Sequence, residues 1–183
     1  MNNYKIVFMG TPDFGIPSLN ELYKQGYEVE AVYTQPDRVN KRGNKVQFSA
    51  VKQFALEHDI TIYQPNSLKD EKELDVLRAL NPDLIIVIAY GKILPQAVLD
   101  IPKYGVINVH ASLLPKYRGA APVQRSIIDG EETTGVTIMQ LDAGMDTGNI
   151  IAEKSVFITP HMTSEDLFDV LSNVGAKLLI DVL

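Results

Sequence analysis

Short apolar runs alternate along the chain with longer stretches in which apolar and polar residues recur at helical spacing. Four of the runs are typical of buried strands: KIVFM, VEAVYT, LIIVIA and GVINVH. The stretches between them predict amphipathic helices over residues 15–24, 49–58 and 70–80. Because strand and helix alternate, the pattern favours an α/β fold with a mainly parallel sheet and right-handed crossovers.

The pattern changes after the fourth strand. A short helix over residues 122–128 is followed by two further strands, GVTIMQL and NIIAEKSVFI, which the loop DAGMDTG connects. So short a connection requires the two strands to run antiparallel, and the sheet is therefore expected to be mixed. A last helix, with Thr163 or Ser164 as its N-cap, reaches the final residue without a capping glycine, so we expect the chain to be part of a longer one.

The composition is that of an ordinary globular protein. With 183 residues, of which 45% are hydrophobic, the chain is long enough for one well-buried domain. The N-terminal MNNYKIVFMG enters a strand without the features of a signal peptide, and no apolar stretch approaches the length of a membrane span. Together with the lack of cysteine, this favours the cytoplasm. A net charge of −6 means that nucleic-acid binding needs a local basic patch.

The first turn, GTPDFG, argues against dinucleotide binding. A GxGxxG turn lets the backbone approach a pyrophosphate, but here Gly10 is followed by Thr11, Pro12, Asp13 and Phe14. Pro12 removes an amide donor, and Asp13 places a negative charge where a phosphate would lie. We therefore expect no NAD, and the lack of metal-spaced His and Cys clusters in the sequence predicts no metal.

Asn108 and His110 are the first candidates for chemistry. They lie two residues apart on the fourth strand, so both side chains point to one face at the strand end, where α/β enzymes keep their sites. Of the other histidines, His58 follows a helix and suits C-terminal capping or solvent contact, and His161 lies in a loop. The alternative interpretation of His110 is a core histidine satisfied by the backbone.

A cluster of positive charge follows the second strand, at the edge of the sheet where ligands bind. Four basic residues lie there within eight positions: Arg38, Lys41, Arg42 and Lys45. In an acidic protein such a cluster is a candidate contact for a nucleic-acid backbone. The alternative is a mobile, solvated loop, which is what most charge clusters are.

These motifs together resemble the folate-dependent formyltransferases. The Asn-x-His of that family is present at Asn108 and His110, it continues in SLLPKYRG, and the family's aspartate matches Asp146 in DAGMDTG. FMGTPDF, TQPDR and RGAAPVQR are similar to the tRNA-dependent branch, and the resemblance covers all 183 residues. It implies a Rossmann-like formyltransferase fold, with a twisted, mainly parallel sheet of about seven strands and helices on both faces.

The resemblance implies a reaction and its partners. The formyl group of 10-formyltetrahydrofolate, a co-substrate, passes to the α-amino group of methionyl-initiator tRNA, which gives N-formylmethionyl-tRNA for translation initiation. Residues 1–183 are then the catalytic domain of a monomer, and an OB-like tRNA-binding domain lies outside them.

Given this reaction, three residues receive catalytic roles. The Asn108 amide and a protonated His110 donate to the oxyanion of the tetrahedral intermediate. Asp146 keeps His110 charged and oriented and collects, through water, the proton that the amine loses. The alternative for Asp146 is a turn residue that caps its own backbone.

Two segments are expected to bind folate, because a flat pterin with several donors and acceptors suits apolar walls with exposed main-chain groups. The first segment follows the Asn-x-His strand and comprises Ser112, Leu113, Leu114 and Pro115. The second follows LIIVI and contributes Ala89, Tyr90, Gly91 and Ile93. The alternative for Leu113 and Leu114 is a place in the core.

The tRNA acceptor arm is expected to lie against Arg38, Lys41, Arg42 and Lys45. Further basic residues, which either extend this surface or pair with acidic neighbours, are Lys116, Arg118 and Arg125. Two other functions stay open. A formyltransferase for an amino sugar or a free nucleotide has no need of the basic loop, and a non-catalytic folate-binding module has no need of all three catalytic residues.

Overall fold

A seven-stranded sheet forms the centre of the computed structural model, which describes residues 4–39 and 46–183. In chain order the strands are β1 (Lys5–Gly10), β2 (Glu28–Tyr33), β3 (Arg38–Val39), β4 (Val46–Gln47), β5 (Thr61–Tyr63), β6 (Leu84–Ile88), β7 (Val106–His110), β8 (Thr133–Gln140) and β9 (Ile150–Phe157). Strands β3 and β4 pair with each other in a separate antiparallel hairpin, and the other seven form the sheet.

Six helices pack around the described sheet, and three of them begin at a residue whose side chain caps the first turn. They are α1 (Ile16–Lys24), α2 (Ala50–Glu57), α3 (Glu71–Leu80), α4 (Gln96–Leu99), α5 (Pro122–Ile128) and α6 (Ser164–Val182), with a 3-10 turn at Asp13–Gly15 before α1. Ser49 and Asp70 cap α2 and α3 by accepting from backbone amides of the first turn. Thr163 caps α6 in a reciprocal capping box with Asp166. At the other end of α2, the His58 ring lies 2.8 Å from the Phe54 carbonyl, as its predicted capping role requires.

The strand order is β5-β2-β1-β6-β7-β8-β9. The first five of these strands are parallel, whereas β8 runs antiparallel to β7 and β9 antiparallel to β8. From β1 the chain moves outward to β2 and β5 and then returns to β6 on the other side of β1. Loops that leave β1 and β6 therefore diverge, and a crevice opens at the carboxyl ends of these strands.

Successive side chains of each strand point to opposite faces of the sheet, and the buried ones form a separate layer of core on each face. On one face, Ile6 and Phe8 of β1 pack with Leu19, Val51 and Leu171 of α1, α2 and α6. On the other face, Val7 and Met9 pack with residues of α3 and α4. Strand β7 follows the same rule, since its odd-numbered residues face α6 and Val106 faces the α3 side. Asn108 and His110 continue the row of Val106, which confirms that they share one face.

The longest helix, α6, is amphipathic and lies across β7, β8, β9 and α1. Gly175 brings it close to the sheet, because a Cβ at this position would lie 3.0 Å from Cγ1 of Val109. Polar residues such as Glu165 and Lys177 occupy its solvent side. In the described parts of the chain, no helix combines the length and the apolarity that a bilayer crossing needs.

The predicted fold class is confirmed, including the mixed sheet and the antiparallel β8–β9 pair. Four short elements were missing from the prediction. β5 has three residues and α4 has four, while β3 and β4, with two residues each, pair at the ends of the basic loop, where a mobile loop was expected. Elements this short do not complete enough periods for a hydrophobic pattern to show.

Gly135 in β8 provides a test of the packing between β8 and β9. A Cβ there would lie 2.2 Å from the Lys154 carbonyl oxygen and 2.6 Å from Cδ2 of Leu113. We expect Gly135→Ala to lower the free energy of unfolding by about 2–3 kcal/mol, because the neighbouring strand must move. Urea denaturation measures the loss.

Gly26→Ala is the matched control. Gly26 has φ +77° and open space around the added methyl, so only backbone strain of about 1 kcal/mol is expected. Equal losses in the two variants would show that the close approach at Gly135 does not matter for stability.

Candidate active site

A cavity of about 790 Å³ opens at the carboxyl ends of β1, β6 and β7. Its walls come from the turn after β1, the segment that leaves β6, the end of β7, the start of α5 and the loop between β8 and β9. A volume in the range of roughly 300–1,000 Å³ suits a small organic ligand. The cavity lies at the topological switch point, where α/β sheets bind their ligands.

Asn108 and His110 line this cavity and are 8% and 7% exposed. The Nε2 atom of His110 lies 2.9 Å from the backbone oxygen of Tyr117. A carbonyl oxygen can only accept, so Nε2 carries the proton in this hydrogen bond. The other ring nitrogen, Nδ1, lies 3.6 Å from Oδ2 of Asp146.

Asp146 is held facing His110 by its own backbone and by a hydrogen bond. Its φ is +51°, and its Oδ2 accepts from the Gly119 amide at 2.8 Å. The 3.6 Å separation from His110 Nδ1 is longer than a hydrogen bond but is an ion-pair distance when the ring is protonated. The structure therefore brings Asn108, His110 and Asp146 together at one cavity.

The turn-capping role considered for Asp146 belongs to Asp142. Its Oδ1 accepts from the Gly144 amide at 2.9 Å and from the Thr147 hydroxyl at 2.8 Å. These bonds close the loop on itself and leave the carboxylate of Asp146 pointing to β7. Gly148 ends the loop, and a Cβ there would lie 1.8 Å from the Gln140 carbonyl oxygen, so a larger residue would displace the loop.

Tyr117 supplies the carbonyl that orients His110, and sequence reasoning missed this role. Its φ of +55° turns the carbonyl toward the histidine, and its hydroxyl donates to Oε1 of Glu131 at 2.8 Å. Lys116 also binds Glu131, at 2.7 Å. The hydrogen bonds from Lys116 and Tyr117 hold the pKa of Glu131 below its usual value. Lys116 thus pairs with an acidic neighbour, and Arg125 lies over the Tyr117 ring at 5.1 Å.

The two segments expected to bind folate lie in different places. Ala89, Tyr90, Gly91 and Ile93 all line the cavity. The backbone turns sharply there, with φ +49° at Ala89 and +80° at Gly91, and Ile93 is left 84% exposed at the rim.

The other segment, residues 112–115, is not among the residues that line the cavity. The Ser112 hydroxyl donates to the Lys116 carbonyl, the Leu114 amide donates to the Thr137 hydroxyl, and Leu113 packs against Gly135. After β7 the chain runs over β8 before it returns to the cavity at Gly119. Leu114 is accordingly a core residue, 8% exposed, while Pro115 is at the surface.

The basic cluster is described only at its start. Arg38 is exposed at the first position of β3, where it pairs with Gln47 of β4. Lys41, Arg42 and Lys45 lie outside the described residues. The described part of the cluster is therefore the stem of a hairpin that follows directly on Asp37.

An apolar wall of the cavity was not anticipated from the sequence. Pro12 and Phe14 follow β1, and Phe168 comes from α6. The two phenylalanine rings contact edge to face, with their centroids 5.0 Å apart. The sequence analysis identified Phe168 only as an apolar position of α6. The hydrophobic pattern of a helix does not show which of its side chains contact a loop that follows a distant strand.

The described residues bring no group of three or more His, Asp or Glu side chains into an arrangement that could hold a metal ion. His110 has Asp146 as its acidic neighbour, and its Nε2 is already bonded to a carbonyl oxygen. The Asn108 amide can donate hydrogen bonds into the cavity, and the imidazole of His110 beside the Asp146 carboxylate can move a proton.

Curated relatives match almost the whole of this chain. A methionyl-tRNA formyltransferase of Clostridium perfringens (strain SM101) is 56% identical over 177 residues, which are 96% of this chain and 57% of the relative. A methionyl-tRNA formyltransferase of Legionella pneumophila (strain Paris) is 50% identical over 183 residues, which are 100% of this chain and 58% of the relative. The chain therefore spans less than two thirds of the length of these relatives.

The fold has solved counterparts as well. The crystal structure of a phosphoribosylglycinamide formyltransferase from Bacillus halodurans superposes with a TM-score of 0.81 at 23% identity, and the match covers 97% of this chain and 92% of that one. This likeness confirms the Rossmann-like formyltransferase fold. The family model described as "Formyl transferase" matches residues 4–183. Since that match includes β1 through α6 and every side chain of the cavity, the chain belongs to the formyl transferase family.

Proposed function

We propose that this chain catalyses transfer of the formyl group of 10-formyltetrahydrofolate to the α-amino group of methionyl-initiator tRNA. The observation that carries the proposal is the meeting of Asn108, His110 and Asp146 at one cavity. The acceptor follows from the relatives, which are named methionyl-tRNA formyltransferases and share 50–56% of the residues matched. The folate donor and the initiator form of the tRNA are what the sequence resemblance implies.

The reaction exchanges one C–N bond for another. The amine nitrogen attacks the formyl carbon, and the carbonyl oxygen becomes an oxyanion in the tetrahedral intermediate. The bond from carbon to N10 then breaks, N10 takes up a proton, and the amine nitrogen gives one up. The chain's task is to stabilise the oxyanion and to move this proton.

The geometry divides these tasks among the three side chains. His110 Nε2 is bonded to Tyr117, so Nδ1 is the ring nitrogen that remains to donate to the oxyanion, together with the Asn108 amide. Asp146 stabilises the imidazolium across 3.6 Å. Its carboxylate is 14% exposed, so it can also accept the amine proton through a water molecule.

The cavity offers two kinds of wall for the two substrates. The turn at Ala89–Gly91 presents backbone groups, which suit the donors and acceptors of a pterin. Pro12, Phe14 and Phe168 present apolar surface, which suits the thioether side chain of methionine. Both walls line the same cavity as Asn108 and His110, so a donor and an acceptor bound there would share it with these two side chains.

The other functions considered find less support. A formyltransferase for an amino sugar or a free nucleotide has no use for a basic hairpin, and a folate-binding module has no use for an oriented His110–Asp146 pair. The cytoplasmic location, the monomeric state and an OB-like tRNA-binding domain outside residues 1–183 stay predictions. So does folate contact by Ser112, Leu113, Leu114 and Pro115.

Replacing His110 or Asn108 by Ala tests the oxyanion hole. Each substitution is expected to lower kcat about 100-fold or more, because a donor to the oxyanion is lost. Formylation of methionyl-tRNA by 10-formyltetrahydrofolate is the assay. His161→Ala is the matched control, since His161 is exposed in the loop before α6, and it should leave kcat unchanged. Near-normal turnover of the first two variants would remove these residues from the site.

Asp146→Asn separates the charge of this residue from its place in the fold. The amide oxygen of Asn can still accept from the Gly119 amide, whereas its charge beside His110 is gone. We expect kcat to fall about 100-fold, with little change in thermal stability. Asp142→Asn, in the same loop, should keep kcat, because Asp142 caps the loop and the amide oxygen of Asn can accept the same hydrogen bonds from Gly144 and Thr147. A loss of kcat that is the same for both variants would indicate a structural role for Asp146.

Arg42→Leu tests the predicted tRNA contact. The substitution removes a charge that we expect to lie against tRNA phosphates, so KM for methionyl-tRNA should rise while the Kd of 10-formyltetrahydrofolate stays the same. Lys24→Leu serves as the control, because Lys24 is exposed at the end of α1, away from the carboxyl edge of the sheet. If KM and Kd rose together, the basic loop would be structural.

A further inference from the structure

The segment of residues 34–37, which we call the linker segment, joins β2 to the β3–β4 hairpin and is held by side chains from several elements. At its start, the Thr34 hydroxyl lies 2.6 Å from the hydroxyl of Ser49. At its end, Asp37 directly precedes Arg38 of β3. The position of the hairpin stem therefore depends on how this segment is fixed.

Asp37 is fixed by two long side chains. Lys52 of α2 approaches its Oδ2 at 2.5 Å, and Gln64, which follows β5, donates to its Oδ1 at 2.8 Å. Lys52 also donates to Oε1 of Gln64 at 3.0 Å, so the three groups form a closed set. The side chains of Lys52 and Asp37 are 14% and 26% exposed. Hydrogen bonds from Lys52 and from Gln64 hold the pKa of Asp37 below its usual value.

Gln35 connects the same segment to the wall of the cavity. Its Nε2 donates to the Tyr90 carbonyl oxygen at 3.1 Å, and the Thr11 hydroxyl donates to that oxygen at 3.0 Å. The Gln35 carbonyl in turn accepts from Gln64 at 2.9 Å. Beside Tyr90, a Cβ on Gly91 would lie 3.3 Å from Gln35 Nε2, so the two segments are in close contact.

A continuous set of hydrogen bonds thus runs from the cavity wall to the hairpin stem. Its order is Tyr90 carbonyl, Gln35, Gln64 and Asp37, and Arg38 follows Asp37 in the chain. Tyr90 and Gly91 belong to the wall assigned above to the folate donor. Arg38 is the described member of the cluster assigned to tRNA. The two substrates are therefore expected to touch opposite ends of one network.

We propose that Gln35 is a positioning residue through which the donor and the tRNA strengthen each other's binding. A donor seated against Tyr90 and Gly91 restrains the carbonyl that Gln35 holds, and this restraint passes through Gln64 and Asp37 to the stem at Arg38. The ordering that the first substrate imposes no longer has to be imposed by the second. Coupling of this kind is reciprocal and typically amounts to about 5–150-fold in affinity. The inference rests on the proposed function.

The test is a pair of binding titrations. The Kd of 10-formyltetrahydrofolate is measured alone and with saturating uncharged initiator tRNA, which has no amine to formylate, so that no turnover occurs. In the wild-type chain the tRNA is expected to lower this Kd about fivefold or more. In Gln35→Met, which keeps the length of the side chain but removes its donor, the ratio of the two Kd values should approach one, while formylation at saturating substrates is largely kept.

Two further variants keep the result interpretable. Thr11→Val removes the second donor to the Tyr90 carbonyl and should also reduce the ratio, which provides a test if Gln35→Met does not fold. Gln25→Met is the matched control, because Gln25 is exposed after α1, and it should keep the wild-type ratio.

The outcomes separate the inference from the proposed function. If the wild-type chain formylates methionyl-tRNA but shows no coupling, the inference is wrong and the function stands. If Gln35→Met raises each Kd but preserves their ratio, Gln35 is only structural and the inference is again wrong. If the wild-type chain does not formylate methionyl-tRNA even at saturating concentrations of both substrates, the proposed function fails, and the inference fails with it.

Discussion

The hydrogen bond between His110 Nε2 and the Tyr117 carbonyl fixes the orientation of the imidazole at the cavity. This bond occupies Nε2 with a backbone acceptor, so Nδ1 faces Asp146 and is the ring nitrogen to which the proposed mechanism assigns the oxyanion. Asp146, in turn, is held by the amide of Gly119, two residues after Tyr117. A single stretch of backbone after β7 therefore sets both the orientation of the imidazole and the distance to its carboxylate. His110 and Asp146 are therefore positioned together, because they share this support.

The strand framework was predictable because its pattern is simple. Buried parallel strands with helices on both faces require apolar residues on both faces, and β1 and β6 show continuous apolar runs. β2 is apolar over its last three residues, and β7 is buried throughout although it contains Asn108 and His110. The caps at Ser49, Asp70 and Thr163 are local chemistry that a short window of sequence contains. β5 escaped notice because Thr61–Tyr63 gains its order from pairing with β2, a contact between distant parts of the chain.

The site was predictable only in part, and the reason is its reliance on backbone atoms. Asn108, His110 and Asp146 have side chains whose types and spacing point to chemistry. Tyr117 acts through its carbonyl and Gly119 through its amide, and neither group differs from that of any other residue in the sequence. The segment at residues 112–115 shows the reverse case. It belongs to a recognisable motif, yet in the structure it packs against β8. A sequence motif thus predicts where a site lies in the fold more reliably than it predicts which of its residues line the cavity.

Left-handed backbone at non-glycine residues is concentrated around the cavity. Six such residues occur in the described parts of the chain, and three of them, Ala89, Ala121 and Asp146, line the cavity, while a fourth, Tyr117, binds His110. Each of these conformations costs roughly 1–2 kcal/mol, which the rest of the fold must offset. Glycine at any of them would relieve the strain and, by the same change, loosen the turn that aims a catalytic or binding group. Selection for thermal stability therefore favours glycine at these few positions, whereas selection for turnover favours the strained residue. The packing of the core must be stable enough to offset that strain.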